Sequence, residues 1–159
     1  MGHIRLTFHV NAPLERVAAL YRDVERVPDW QYDILEVKDV SGPLDRVDAS
    51  YTLVYWRLGR RLPQRMEITR YEPLALMQQT ANTPLGGRMT STTRLEPAAG
   101  GTDVHWEMDY RLPGGPLGEL LDRLLFRRAF ARTVREYNEN FAALAEGRTP
   151  PHEPVRGHR

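Results

Sequence analysis

Asp103, His105 and Glu107 alternate along a strand-like run, so acid, imidazole and acid share one face. That spacing could hold a metal ion. It is equally the pattern of a solvated strand face with cross-strand ion pairs, and this second reading is preferred, with no metal site expected. His3, His152 and His158 are terminal, and His9 faces away from the apolar side of its strand. The serines are Ser41, Ser50 and Ser91, and none sits in a Gly-x-Ser-x-Gly elbow. With no cysteine, there is no thiolate nucleophile, thiolate metal site or disulfide. The single lysine, Lys38, reads as a solvent-facing strand residue rather than a Schiff-base former. Asp23, Glu25, Asp29 and Asp33 cluster between helical segments, where capping and surface ion pairs explain them. Proton-moving chemistry would fall to Arg70, Tyr55 or Tyr110.

The aromatic and methionine residues carry the positive case. Trp30, Tyr55, Met66, Met89, Trp106, Met108, Tyr110 and Phe130 could line a cavity, since Met adapts to shape and Trp and Tyr combine an apolar face with a polar edge. Gln64, Gln78, Ser91 and Thr93 could orient a ligand there by hydrogen bonds. Leu121 and Phe126 belong to a segment placed over its mouth.

Elements must bring these residues together. Ile4, Leu6, Phe8 and Val10 alternate in a first strand. Ala12-Pro13 opens a helix with the stripe Leu14, Val17, Ala18, Tyr21 and Val24, and a short second helix or turn ends at Asp29-Trp30. Five or six strands follow, at Ile34–Val40, Ala49–Leu58, Leu62–Tyr71, Leu74–Ala81, Arg88–Leu95 and Thr102–Leu112, with a hairpin across Gly59-Arg60. Short turns and no intervening helices make them an antiparallel meander. In the last strand Val104, Trp106, Met108, Tyr110 and Leu112 face one way and charged residues the other. A helical segment then runs from Leu117 to about Ala145. Its stripes Leu117/Leu120/Leu121/Leu124 and Phe126/Phe130/Val134/Tyr137/Phe141 are too far apart in angle to press on one surface. A bend near Leu125–Arg128 is expected, with Leu117–Phe126 as a lid and the turns at Gly59 and Pro84–Gly87 completing the entry. Residues 147–159, with three prolines and little to bury, read as a disordered tail.

The chain has 159 residues and a formal net charge of +1, evenly spread, which suits one domain and argues against nucleic acid as the main partner. Arg123, Arg127, Arg128, Arg132 and Arg135 read as the solvated side of an amphipathic helix. No apolar stretch approaches a membrane span, and no signal peptide is evident, so a cytoplasmic location is expected.

The element order resembles the helix-grip fold. Asn11-Ala12-Pro13-Leu14-Glu15-Arg16-Val17, Asp23 to Trp30, Thr69-Arg70-Tyr71-Glu72-Pro73, Leu95-Glu96-Pro97 and Gly100-Gly101-Thr102 resemble the START-like (SRPBCC) superfamily in its polyketide cyclase/dehydrase branch. The resemblance implies an α+β domain over residues 1–146. A curved antiparallel sheet of six to seven strands would wrap a long C-terminal helix, with two short helices after strand 1. It also implies a deep apolar cavity for lipids, polyketides, quinones or other aromatics. Cyclases of this branch use a strand arginine, whose position falls on Ile68 here; the tryptophan pair before it falls on Leu62 and Gln64. The expected function is binding of a hydrophobic or aromatic small molecule, without metal or cofactor. The alternatives are a polyketide cyclase/dehydratase and a protein-interaction module. The last of these could be a homodimer joined along exposed strand or helix surface.

Overall fold

The computed structural model describes residues 2–82, 86–111, 113–121 and 127–154. Strand β1 (Gly2–Val10) leads into helix α1 (Leu14–Arg22), a 3-10 turn at Val24–Arg26 and the short helix α2 (Val27–Trp30). The remaining strands are β2 (Ile34–Lys38), β3 (Ser50–Arg57), β4 (Arg60–Glu72), β5 (Leu76–Asn82), β6 (Arg88–Ala98) and β7 (Gly101–Arg111). Helices α3 (Gly115–Leu121) and α4 (Arg127–Ala145) complete the chain. Among the described residues, seven strands form one antiparallel sheet in the order β1-β7-β6-β5-β4-β3-β2. Every neighbouring pair except β1–β7 is consecutive in sequence, so short turns suffice for the meander, while the α1–α2 excursion carries the chain from one edge to the other. This is the helix-grip arrangement.

Helix α4 is held at its C-terminal half. Phe141 is fully buried, with its ring centroid 4.3 Å from Tyr21, 5.2 Å from Trp30 and 6.5 Å from Phe8. One ring thereby joins α1, α2 and β1 in a packed aromatic cluster. The expected bend at Leu125–Arg128 falls largely outside the described residues.

Three details differ from the sequence reading. The β3–β4 turn is Leu58-Gly59, both at positive φ (55° and 71°), one residue earlier than the expected Gly59-Arg60. Leu58 thus holds a left-handed backbone while 83% exposed. In β4 the register shifts between Ile68 and Arg70, a bulge that reverses the facing of everything after it. The expected disordered tail is tied back as far as His152. The fully buried Asn140 accepts from the His152 backbone N–H at 2.9 Å and donates to its carbonyl at 2.9 Å, and the imidazole meets Glu139 at 2.7 Å. Among the described residues no helix is long and apolar enough to cross a membrane.

Candidate functional site

The period of two along each strand turns one row of side chains toward α4. From β3 come Tyr51, Leu53, Tyr55 and Arg57; from β4, Leu62, Gln64 and Met66. Met77 and Gln79 project from β5, Met89, Ser91 and Thr93 from β6, and Trp106, Met108 and Tyr110 from β7. Helix α4 roofs this surface with Phe130, Val134 and Tyr137, and Tyr21, Val27 and Trp30 close it from α1 and α2. The enclosed space is about 590 Å³. It opens where the exposed Leu58 and Arg111 line it, at the end of the sheet carrying the β3–β4 turn. Four of the five methionines line the cavity, giving it a wall that can adapt to shape.

Eleven of the residues expected at a ligand site surround this cavity: Trp30, Tyr55, Gln64, Met66, Met89 and Ser91, with Thr93, Trp106, Met108, Tyr110 and Phe130. Gln78 does not. It lies on the outer face, donating to Thr92 Oγ1 at 3.0 Å and accepting from Thr69 Oγ1 at 3.2 Å, and Gln79 takes the inward place. In Leu76-Met77-Gln78-Gln79 alternation alone does not tell which glutamine points inward. Arg70 is the second correction. The bulge between Ile68 and Arg70 puts Arg70 outside, exposed and paired with Glu72, while Ile68 is fully buried. Phe126 and the Leu121 side chain lie outside the described residues, as does most of the expected lid. Leu117 and Leu120 on α3 are exposed and do not line the cavity.

The sequence reading missed a polar cluster in which Arg57, Tyr55 and Tyr137 line the cavity and Asp33 stands behind them. Asp33, expected as a surface or capping carboxylate, is buried. Its Oδ2 accepts from Arg57 Nε at 2.8 Å and its Oδ1 from the Tyr137 hydroxyl. Arg57 Nη2 also reaches the Tyr137 oxygen at 3.4 Å, and its guanidinium carbon lies 4.5 Å from the Tyr55 ring centroid. Burial pulls the Arg57 guanidinium down, but the Asp33 carboxylate and the phenols around it outweigh this and hold it above its ordinary value. Burial pushes Tyr55 up to about 12. Burial and then Asp33 raise Tyr137 well above the usual phenol value. Tyr21 and Tyr51 are likewise raised by burial. Tyr51 donates to Gln79 Oε1 at 2.5 Å, and Gln64 Nε2 lies 3.0 Å from Met89 Sδ.

These groups share one chemical character. At neutral pH the phenols keep their protons and Arg57 its charge, so they donate hydrogen bonds and do not act as bases. Among the described residues, no carboxylate, histidine or lysine lines the cavity. The acid–histidine–acid pattern of β7 lies on the opposite, outer face. There His3 pairs with Asp109 and His9 with Asp103, each at 2.8 Å, and His105 meets Thr7 at 3.1 Å. Among the described residues no group of three histidines or carboxylates is placed to hold a metal.

Solved structures share this architecture. Protein TTHA0849 from Thermus thermophilus superposes with a TM-score of 0.71 at 21% identity, over 92% of this chain and 98% of that one. Protein CV1439 from Chromobacterium violaceum gives 0.68 at 20%, over 91% and 96%. The Zhui aromatase/cyclase from Streptomyces sp. R1128 gives 0.70 at 16%, over 97% and 99%. At these identities the likeness is one of fold. No curated protein matches the chain significantly. The family model described as polyketide cyclase / dehydrase and lipid transport matches residues 1–146, and the chain belongs to that family.

Proposed function

We propose that the protein binds a hydrophobic or aromatic small molecule between the sheet and α4. The observation that carries this reading is the cavity of about 590 Å³, walled by methionine, aromatic and aliphatic side chains. A ligand of two or three fused rings that buried about 300 Å² of apolar surface would gain roughly 7 kcal/mol before association and ordering costs. The polar groups of the wall orient such a ligand rather than hold it.

A cyclase or dehydratase activity is supported less well. Its strand arginine position is the buried Ile68, Arg70 points away, and Tyr55 and Tyr137 in the cavity wall are held protonated by burial. Ring closure and water loss need a group that accepts a proton near pH 7. The described wall supplies none.

The test is native mass spectrometry of the purified protein with extraction of any bound small molecule, followed by thermal melting against lipids, quinones and polyphenols. A stoichiometric apolar ligand, or a saturable rise in Tm with one of these classes, is the expected result. An empty protein that gains no stability from any of them refutes the binding reading.

A further inference from the structure

We infer that Arg57 and Tyr55 receive a neutral oxygen acceptor of the ligand, a ketone, quinone or amide carbonyl, and that Asp33 makes this subsite discriminate against carboxylates. The inference rests on the cavity being a ligand site and adds which end of the ligand goes where and what charge it carries.

The first observation is unused donor capacity. Arginine has five N–H groups. One of Arg57's meets Asp33 and one reaches Tyr137, so three find no acceptor among the described residues. Tyr55 is buried on the same strand, lines the cavity, and has no hydrogen-bond partner among the described residues. Elsewhere on the wall, Trp30 buries an indole N–H that has no partner among the described residues. The Trp30 N–H is a buried donor without an acceptor, which is costly, and the open N–H groups of the 36% exposed Arg57 and the Tyr55 hydroxyl would exchange water for a bound acceptor.

The second observation is charge. Arg57 sits 2.8 Å from a carboxylate with an 11% exposed side chain, so the pair is neutral as a unit. The phenols of Tyr55 and Tyr137 add none. A carboxylate entering here would lose its hydration, and Asp33, standing behind the guanidinium, offsets part of the attraction of Arg57. A carbonyl loses far less on desolvation and still accepts from the free N–H groups. Arg111, the other cationic side chain lining the cavity among the described residues, is exposed at the rim on β7, where water screens it.

Three probes of one shape test this: 2-acetylnaphthalene, 2-isopropylnaphthalene and 2-naphthoate, titrated calorimetrically into the full chain. The ketone is expected to bind about tenfold tighter than the hydrocarbon, the scale of one charge-assisted hydrogen bond net of desolvation. It is also expected to bind tighter than the naphthoate. Arg57→Met should cut the ketone's advantage over the hydrocarbon from about tenfold to about twofold or less. Asp33→Asn should shift the ranking toward naphthoate by about tenfold, because Arg57 is then uncompensated. The wild-type ranking needs no variant, so a misfolded substitution does not rescue the idea. If ketone and hydrocarbon bind equally, the acceptor subsite is refuted while the cavity reading stands. If naphthoate binds tightest to wild type, Arg57 is an anion receptor and the inference is wrong. If none of the three binds, the inference and the binding reading fall together.

Discussion

Breaking the Asp33–Arg57 pair should cost more than breaking an exposed ion pair of this protein, and the structure sets the scale. Two unit charges at the observed 2.8 Å attract by about 6 kcal/mol at an effective dielectric of about 20. The Arg57 side chain is 36% exposed, so solvent roughly halves this, and desolvation of both groups takes a further share. A coupling of about 2 kcal/mol remains. Asp33→Asn leaves a charged guanidinium in the wall and weakens the Tyr137 bond, so it should destabilise by about 3 kcal/mol. Arg57→Met leaves the carboxylate with the Tyr137 hydroxyl alone and should cost about 2–3 kcal/mol. The double variant should be less destabilised than the sum by the coupling itself. By contrast, the exposed Arg61–Glu36 pair, at 2.5 Å, should show a coupling below about 0.5 kcal/mol.

Urea unfolding of the four proteins of each cycle, followed by tryptophan fluorescence, measures both couplings. The experiment has a built-in control in salt. The Asp33–Arg57 coupling should survive a rise from low salt to about 0.5 M, where the surface pair is screened away. A coupling below about 0.5 kcal/mol for Asp33–Arg57, or one that vanishes in salt, would show that water reaches the pair freely. The argument for a desolvated polar wall would then be refuted.

Alkaline titration should expose the buried phenols. Tyr21, Tyr51, Tyr55 and Tyr137 are raised in the folded state above the ordinary value of 10.0. Their contribution to stability is therefore fully present below about pH 10 and is lost as pH rises through the folded values. Stability by urea unfolding should be flat from pH 7 to 9 and fall above about pH 10, with phenolate absorbance appearing together with unfolding; ionisation of these tyrosines in an intact fold would contradict the burial argument. At Gly101 an added Cβ would lie 2.0 Å from the Val10 carbonyl oxygen and 3.1 Å from the Ala12 nitrogen, backbone atoms that cannot rotate aside. Gly101→Ala should cost about 3 kcal/mol or more. Gly100→Ala, at φ +80° with nothing within 4 Å, should cost about 1–2 kcal/mol; equal melting temperatures for the two would refute the close approach. Phe141→Ala should cost about 3–5 kcal/mol, because it empties the contact of three rings. Phe130→Ala, half-buried against Tyr110 at 6.1 Å, should cost about 1 kcal/mol and act mainly on ligand affinity; similar losses at both positions would contradict the unequal packing of α4.

Much of the fold was legible because strand alternation is a local signal. Val104, Met108 and Tyr110 read inward from their own spacing, and they are inward. The cavity residues of β6 and β7 followed from the same rule. Arg57 was legible in principle, since it continues the row Tyr51, Leu53, Tyr55, yet an arginine at a strand end reads as solvated unless its partner is known. That partner, Asp33, lies 24 residues away, and Tyr137 lies 104 residues from Asp33. No local pattern carries such a contact. The bulge near Thr69 was hidden for another reason: one extra residue changes the facing of Arg70 without changing composition or alternation before it. Nothing local marks Asn140 for burial, which goes with its bonds to the Trp30 carbonyl and to the chain returning at His152.

The two halves of α4 have different physical tasks, and that division makes a hollow interior tolerable in a domain of this size. Unfilled space forfeits dispersion contacts and hydrophobic burial on every side chain that lines it. The aromatic cluster around Phe141 concentrates compensation at one end, where α1, α2, β1 and α4 meet. The Asp33–Arg57–Tyr137 network fixes the middle of α4 to β3 and to the segment before β2 by directed bonds rather than by filling. On the N-terminal side of Tyr137 the helix faces the cavity through Val134 and Phe130 and rests on β1 and β7 through Phe130, Ala131 and the Arg127 bond to the His3 carbonyl. Residues that hold the helix therefore differ from residues that face a ligand, and the polar network stands at the boundary between them. A ligand carbonyl bonded to Arg57 would load that boundary directly. Binding should then stiffen the part of α4 that borders the cavity, the stretch from Phe130 to Val134, without altering the Phe141 cluster.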